Sequence, residues 1–378
     1  MNNTICSGAW TDVNINFFHR FVKHCCRAEK EFFLHGLDSN FLNQSQGVVD
    51  RRIDLLNGKQ HHQCNECWDD YKITGTAYRD IKNKWTTVND ISDKIKTIEI
   101  FLDNTCDMSC VYCQSNDSSR IAREQGISLK NSIIQNDINE FFLWLKTIQL
   151  DNVNILFLGG EVTVSKNFYN FIERLKKEVS ADIRLGILTN CNTNQNYMNK
   201  IIKCFDDLPS NWDISLSISN EAKLPSELIR WGLTWDKFSK NFETYLNHPN
   251  IYQICLSPAP TIFSIKHMYE YFEWAFDLVR KTNKKCMVYG NWIRSPEVLD
   301  PARSSIKNRI YIDKLENLFL INKDIFNSDN NPFAINWLKK LKNRIGTIKQ
   351  NEKELKEFLD NMASFKQNKK IYELMKYI

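Results

Sequence analysis

Cys106, Cys110 and Cys113 stand in the run CDMSCVYC, three thiols separated by three and then by two residues. A tetranuclear iron-sulfur cluster takes four ligands, so a loop that offers three leaves one iron open. An open iron can accept a substrate or cofactor directly, and radical chemistry with S-adenosylmethionine is among the reactions a protein delegates to such a group. Two plainer readings stand beside this one. A zinc site with a fourth ligand from elsewhere would use the same thiols, although zinc knuckles usually space paired cysteines by two or four residues. Three unrelated buried thiols are the other, since cysteine is among the most buried residue types.

A second group lies upstream: Cys6, the adjacent Cys25 and Cys26, and the pair Cys64 and Cys67. Enough thiolates are present for a complete tetrahedral site with no vacancy, which suits a structural or electron-transfer role better than direct cofactor cleavage. Zinc competes here, and His24, His61 and His62 keep it open. Cys191, Cys204, Cys255 and Cys286 lack paired spacing. Cys255 and Cys286 lie in apolar runs and read as core thiols, whereas Cys191 beside Asn190 could approach the active site.

These residues need a scaffold. Residues 1–95 are poor in long periodic runs and read as a small metal-stapled domain. From Lys96 short apolar runs alternate with amphipathic ones. KTIEIFLD, NVNILFLGG, DIRLGILTN, WDISLSISN, IYQICLSPAP and KKCMVYGNWI read as six strands. Between the first two lies an expected helix with Ile133, Ile134, Ile138, Phe141, Phe142, Leu145 and Ile148 on one side. The succession predicts an α/β fold over residues 96–300, a partial (β/α)6 TIM-like barrel, most simply all-parallel, with an open doubly wound sheet as the alternative. Residues 301–378 read as a helical C-terminal extension covering part of the core, packed through Trp337, Leu338, Leu341, Phe358, Met362 and Phe365.

At the expected strand ends stand further polar groups. Gly159 and Gly160 would allow close backbone approach, and the Glu161 carboxylate suits an ammonium; a turn or helix start is the plain alternative. Thr189 and Asn190 end the third strand as cofactor contacts or as turn residues. Ser215, Ser217 and Ser219 alternate toward one face of the fourth. Arg230 could bind a carboxylate or cap a surface. Asn291, Trp292 and Arg294 near the sixth strand could bind substrate or line the mouth.

The order of these residues resembles the radical SAM superfamily, and the wider layout is similar to members with an N-terminal twitch-type auxiliary-cluster domain. The resemblance covers about residues 6–300. It implies that Cys106, Cys110 and Cys113 ligate a [4Fe-4S] cluster whose open iron is chelated by S-adenosylmethionine, with Tyr112 near the adenine. It also implies that Gly159, Gly160 and Glu161 receive the methionine amino group, and that Ser217 lies near the ribose or carboxylate. Relatives often carry aspartate and glycine where Ser219 and Asn220 stand here; if the family uses that aspartate on substrate, the substrate contact of this chain differs. Upstream, Cys6 with Trp10, then Cys25, Cys26 and Arg27, then Leu56, Asn57 and Gly58, then Cys64, Cys67, Trp68 and Arg79 match the relatives' pattern. They imply an auxiliary [4Fe-4S] cluster on Cys6, Cys25, Cys64 and Cys67. Arg20 stands where many relatives have glycine, which leaves Cys26 as an alternative to Cys25.

The implied activity is reductive cleavage of S-adenosylmethionine to a 5'-deoxyadenosyl radical that abstracts hydrogen from substrate. A flavodoxin or ferredoxin-like electron donor is implied as partner. The substrate is expected to be a ribosomally made peptide or, alternatively, a small metabolite such as a sugar, nucleoside or amino acid. The non-enzyme alternative is a zinc-stapled binding protein. The chain has 378 residues, 25% charged and 42% hydrophobic, with a net charge of +5, the composition of a soluble globular protein. Its lysines are dispersed, which argues against a nucleic-acid partner. No apolar run of about 18 residues and no secretory signal is visible, so a cytoplasmic protein without membrane contact is expected. Twelve cysteines then read as metal ligands and buried thiols instead of disulfides.

Overall fold

The computed structural model of the protein describes residues 4–38, 42, 45–75, 77–85, 95–128, 135–293, 295–325 and 332–378. Nine strands are described: β1 (Asp12–Asn16), β2 (Phe21–Lys23), β3 (Glu31–Phe32), β4 (Ile95–Phe101), β5 (Leu150–Leu158), β6 (Ile183–Thr189), β7 (Trp212–Ile218), β8 (Ile251–Leu256) and β9 (Lys285–Val288). They form one sheet in the order β3-β2-β1-β4-β5-β6-β7-β8-β9.

The six strands from β4 to β9 pair in parallel, each with its sequence neighbour, as the βα succession requires. The all-parallel expectation for residues 96–300 agrees with these pairings, and the sheet continues beyond them. Strand β1 joins in parallel, Asp12 against Thr97 through Asn16 against Phe101, and β2 and β3 then add antiparallel. The N-terminal strands therefore extend the same sheet. The turn from β1 to β2 holds Arg20 at φ 55, the left-handed region that glycine adopts most easily. Its guanidinium lies 3.3 Å from the buried Asp137 carboxylate, a contact that offsets part of that cost.

Burial alternates along the parallel strands. Ile98 and Ile100, Val153, Ile155 and Phe157, Leu185 and Ile187, and Ile214 and Leu216 are buried. They pack with Phe141, Phe168, Phe171, Ile172, Phe205 and Phe242 from the helices Gln135–Leu145, Lys166–Glu178, Gln195–Asp206 and Trp235–Asn247. The intervening positions include Asn14, Glu99, Ser215 and Gln253, and they bond to one another across the other face, Asn14 to Glu99 and Gln253 to Ser215. A doubly wound sheet is apolar on both faces, so this alternation favours a curved sheet with a polar interior. Ile133 and Ile134 of the expected first helix lie outside the described residues; Phe141, Phe142 and Leu145 do face the core.

Helices are where capping chemistry puts them. Ser165 accepts from Phe168 N and Asn194 accepts from Asn196 N and Tyr197 N at the starts of two of them. The C-terminal part forms helices Arg309–Ile321, Pro332–Arg344 and Glu352–Lys366. Trp337, Leu338 and Leu341 join the main core, whereas Leu355, Leu359 and Met362 pack against Val111 and Ile229. Among the described residues no helix is long and apolar enough to cross a membrane.

Candidate active site

The loop after β4 carries Cys106, Cys110 and Cys113, and nearly every segment that follows a parallel strand touches it. Cys106 N donates to Ser119 Oγ at 3.1 Å, Ser109 N to the Trp231 carbonyl at 2.8 Å, and Val111 N to the Ile229 carbonyl at 2.8 Å. Cys113 N closes a turn onto the Cys110 carbonyl at 3.1 Å. Burial pushes the Cys110 thiol up to about 11, the Cys113 thiol up to about 12 and that of Cys106 well above its usual range. Neighbouring thiolates add to the rise at Cys106 and Cys113, where Cys110 is the next cause. Three adjacent soft donors whose anions are costly without a counter-charge suit a cationic metal centre.

Gly159 and Gly160 have a geometric reason. A Cβ on Gly159 would stand 2.8 Å from the Asp103 carbonyl, and its φ of +152 lies in glycine territory. A Cβ on Gly160 would collide with the Thr105 carbonyl and stand 2.6 Å from that of Asn104. The two glycines let the end of β5 lie directly against the entrance of the cysteine loop, where Glu161 N donates to the Thr105 carbonyl at 2.6 Å.

Glu161 itself is buried, and four donors surround its carboxylate: Thr163 N at 3.0 Å, Thr163 Oγ1 at 2.6 Å, Thr189 Oγ1 at 2.9 Å and Asn190 N at 2.6 Å. Burial, with the Asp107 carboxylate next, pushes it up to about 7. Thr189 is consumed by this bond and by accepting from Cys191 N at 3.0 Å. Asn190 reaches back through Nδ2 to Asp107 Oδ1 at 2.8 Å, joining the end of β6 to the cysteine loop. Cys191 is fully buried, with its thiol 3.7 Å from the Phe238 carbonyl, so its expected approach to the site is corrected to a core position.

Arg230 is also buried, not a surface cap. Its Nε and Nη2 donate to Glu221 Oε2 at 3.0 and 2.6 Å, Nη2 donates to Ser219 Oγ at 3.0 Å, and its guanidinium lies 5.5 Å from the Tyr112 ring centre. Glu221 Oε1 and the Tyr112 hydroxyl are buried with no hydrogen-bond partner in this structure, two polar atoms left for a bound molecule. Ser217 stands opposite Cys255 in the β7–β8 pairing. Asn291 is exposed and bonds Ser257 Oγ at 3.0 Å, the half-buried Trp292 follows it, and Arg294 lies outside the described residues. Sequence reasoning missed Glu221, Asp107 and Thr163. Asp107 sits inside the cysteine motif and was open to notice; nothing in the spacing pointed to the other two.

Residues 100–272 match the Radical SAM superfamily. That segment is similar to radical SAM domains. Members of that superfamily are enzymes of radical chemistry. The family implies a [4Fe-4S] cluster, S-adenosylmethionine and a source of electrons. Among solved structures the chain is similar to native anSMEcpe with bound AdoMet and the Cp18Cys peptide, at 16% identity and TM-score 0.40 over 62% of each chain. A tagged form of anSMEcpe with bound AdoMet gives 15% identity and TM-score 0.40 over 59% of this chain and 60% of that one. TYW1 with a lysine-pyruvate adduct bound gives 11% and 0.34 over 71% of this chain and 83% of that one. The chain thus spans about 62% of the anSMEcpe length. No curated protein matches it.

Upstream of the matched segment, Cys6, Cys25, Cys64 and Cys67 line one cavity of about 400 Å³, partly open to solvent, together with Arg27, Arg51 and Arg79. Three of its lining residues carry a buried N–H without an acceptor: Arg51 Nε, Arg79 Nη1 and Trp68 Nε1. The Arg79 guanidinium stacks 3.9 Å from the Trp68 ring centre, which accounts for that pair in the sequence. Cys26 does not line the cavity; its hydrogen bond to Cys25 draws the Cys25 thiol down, while the same bond, with burial next, holds Cys26 up. Among the described residues no three Cys, His, Asp or Glu side chains are arranged as a single-ion site. Tetrahedral zinc with Zn–S bonds of about 2.3 Å needs a tighter grouping than a four-iron core does.

The strand register separates Cys25 from Cys106 along the sheet. Lys23 of β2 pairs with Asn14 and the chain runs on toward the level of Asp12, so Cys25 is at the N-terminal end of β1 and β4. Cys106 follows the C-terminal end of β4, whose seven residues span about 23 Å.

Proposed function

We propose that Cys106, Cys110 and Cys113 hold the [4Fe-4S] cluster of a radical SAM enzyme. The observation that carries this is the convergence of three buried thiols with the Gly159–Gly160 approach and the Glu161, Asn190 and Asp107 bonds on one loop. When bound, the cluster and S-adenosylmethionine supply one-electron cleavage to methionine and a 5'-deoxyadenosyl radical that takes hydrogen from substrate. The chain's own residues do the rest. Glu161 fixes the ends of β5 and β6, and Asn190 carries that order to the cysteine loop. Glu221 Oε1 and the Tyr112 hydroxyl are free to bond the cofactor, with Ser219 beside them on Arg230. The apolar cover over Val111 and Tyr112 excludes water that would quench a radical.

The Cys6, Cys25, Cys64 and Cys67 cavity is the candidate for an auxiliary [4Fe-4S] cluster, supported by its four thiols and its unmatched N–H donors. A site with four protein thiols has no open position, which favours electron transfer over contact with substrate. A flavodoxin or ferredoxin-like protein is the proposed donor. A peptide is the first reading of the substrate, because exposed Asn291 and half-buried Trp292 at the mouth can bond and stack along an extended chain. The polar strand face of Asn14, Glu99, Ser215 and Gln253 favours a small polar metabolite as the second.

Anaerobic iron and sulfide quantification with EPR of the reduced protein tests the assignment. About eight irons per chain are expected, falling to about four in the triple alanine variant of Cys106, Cys110 and Cys113, with loss of the signal that S-adenosylmethionine perturbs. Zinc without iron would sink the reading and leave a metal-stapled binding protein. The same assay separates the upstream cysteines. Cys25→Ser is expected to lose the auxiliary iron and Cys26→Ser to retain it; the reverse pattern would make Cys26 the ligand.

A further inference from the structure

The cysteine loop is held from outside the matched segment as well as from within it. Lys366, the last residue of the helix Glu352–Lys366, has a fully buried side chain whose Nζ donates to the Ser109 carbonyl at 2.6 Å and to Ser109 Oγ. Ser109 lies between Cys106 and Cys110. Its hydroxyl donates in turn to Glu124 Oε2 at 2.6 Å, which stands 3.7 Å from Lys366 Nζ. From the other side Arg120 Nε donates to Glu124 Oε1 at 2.9 Å, and its Nη1 donates to the Asp107 carbonyl at 2.7 Å. Two cations thus bind two carbonyls of one short turn, and one carboxylate ties them together.

The group carries a net positive charge: Lys366 and Arg120 against Glu124 alone. A buried cation is costly unless something nearby is negative. Lys366 and the Cys110 sulfur are close enough to interact electrostatically, so a thiolate-bound centre is what completes the balance. The helix that brings Lys366 also seals the loop, with Leu355, Leu359 and Met362 against Val111 and Ile229. In such a dry surrounding a fixed charge acts more strongly than in water. Cluster potentials follow net charge, hydrogen bonding and solvent exposure, all three of which this helix alters.

We infer that Lys366 is a positioning residue of the radical site: the C-terminal extension supplies a fixed cation to the Cys106–Cys110 turn, which orders the turn and eases reduction of the cluster held there. This rests on the assignment of Cys106, Cys110 and Cys113 to a cluster. Adding an electron adds negative charge, and a nearby cation favours the reduced form.

The test is a redox titration, read by EPR, of the signal that S-adenosylmethionine perturbs, with iron content measured alongside. Wild type, Lys366→Met, Lys366→Arg and Glu124→Gln are compared. Lys366→Met is expected to shift the one-electron equilibrium about tenfold toward the oxidised form, about 59 mV. Lys366→Arg is expected to return it toward wild type. Glu124→Gln, which removes a negative charge from the same group, is expected to shift it the opposite way. If Lys366→Met fails to retain iron, the sign of the Glu124→Gln shift decides. Midpoints equal to wild type in both variants, or shifts in the same direction, would overturn the inference and leave Lys366 a structural clamp. A wild-type protein with no such signal would instead overturn the underlying cluster assignment.

Discussion

Gly160→Ala is expected to reduce S-adenosylmethionine cleavage by about 100-fold or more and to lower stability by about 1–3 kcal/mol. The added methyl group would meet the carbonyls of Thr105 and Asn104, which are backbone atoms at the mouth of the cysteine loop and cannot rotate away. Either β5 withdraws or the loop moves, and the loop places Cys106 immediately after Thr105. A displacement of about 1 Å at a reacting centre is enough for the loss in rate. Measuring 5'-deoxyadenosine formation beside a denaturant melt checks both halves. An alanine variant with wild-type cleavage would mean that the close approach at Gly160 does not position the loop.

The second large effect is expected at Arg230. Arg230→Met removes the cation from the buried Glu221, whose carboxylate is fully inside the protein and 2.6 Å from the guanidinium. Breaking a buried ion pair from one side typically costs about 3–5 kcal/mol, because the remaining charge is left without water or partner. Equilibrium unfolding should show that loss, and the double variant Arg230→Met/Glu221→Gln should recover part of it. A single variant as stable as wild type would show that Glu221 is neutral in the folded protein, the direction in which burial already pushes it.

Legibility differed with the kind of signal. The CDMSCVYC run and the GGE run lie within contiguous residues, and their chemistry shows in residue type and spacing. The six parallel strands were legible because apolar runs of strand length repeat between helical periods. The joining of β1 to β4 was not, since the two are separated by nearly eighty residues and β1 itself reads DVNIN, polar at alternate positions. Tertiary pairing supplied the apolar neighbours that such a strand needs.

Arg230 shows the other limit. Its sequence neighbourhood allows a surface cap or a carboxylate ligand, and only the fold brings Glu221, Ser219 and Tyr112 around it. Thr189 looked like a cofactor contact at a strand end, yet its hydroxyl is bound to Glu161. Lys366 was one lysine in a lysine-rich helical tail, and its burial against Ser109 follows from the packing of a helix more than 250 residues away.

The sequence by itself determined the CDMSCVYC motif, the βα succession and the upstream cysteine pattern, because each is written in local spacing and period. The tertiary structure alone decided which charges are buried together, that the N-terminal strands join the same sheet, and that the C-terminal helix reaches the cysteine loop. Those are contacts between residues far apart in the chain, set by how apolar faces pack, and no local pattern encodes them.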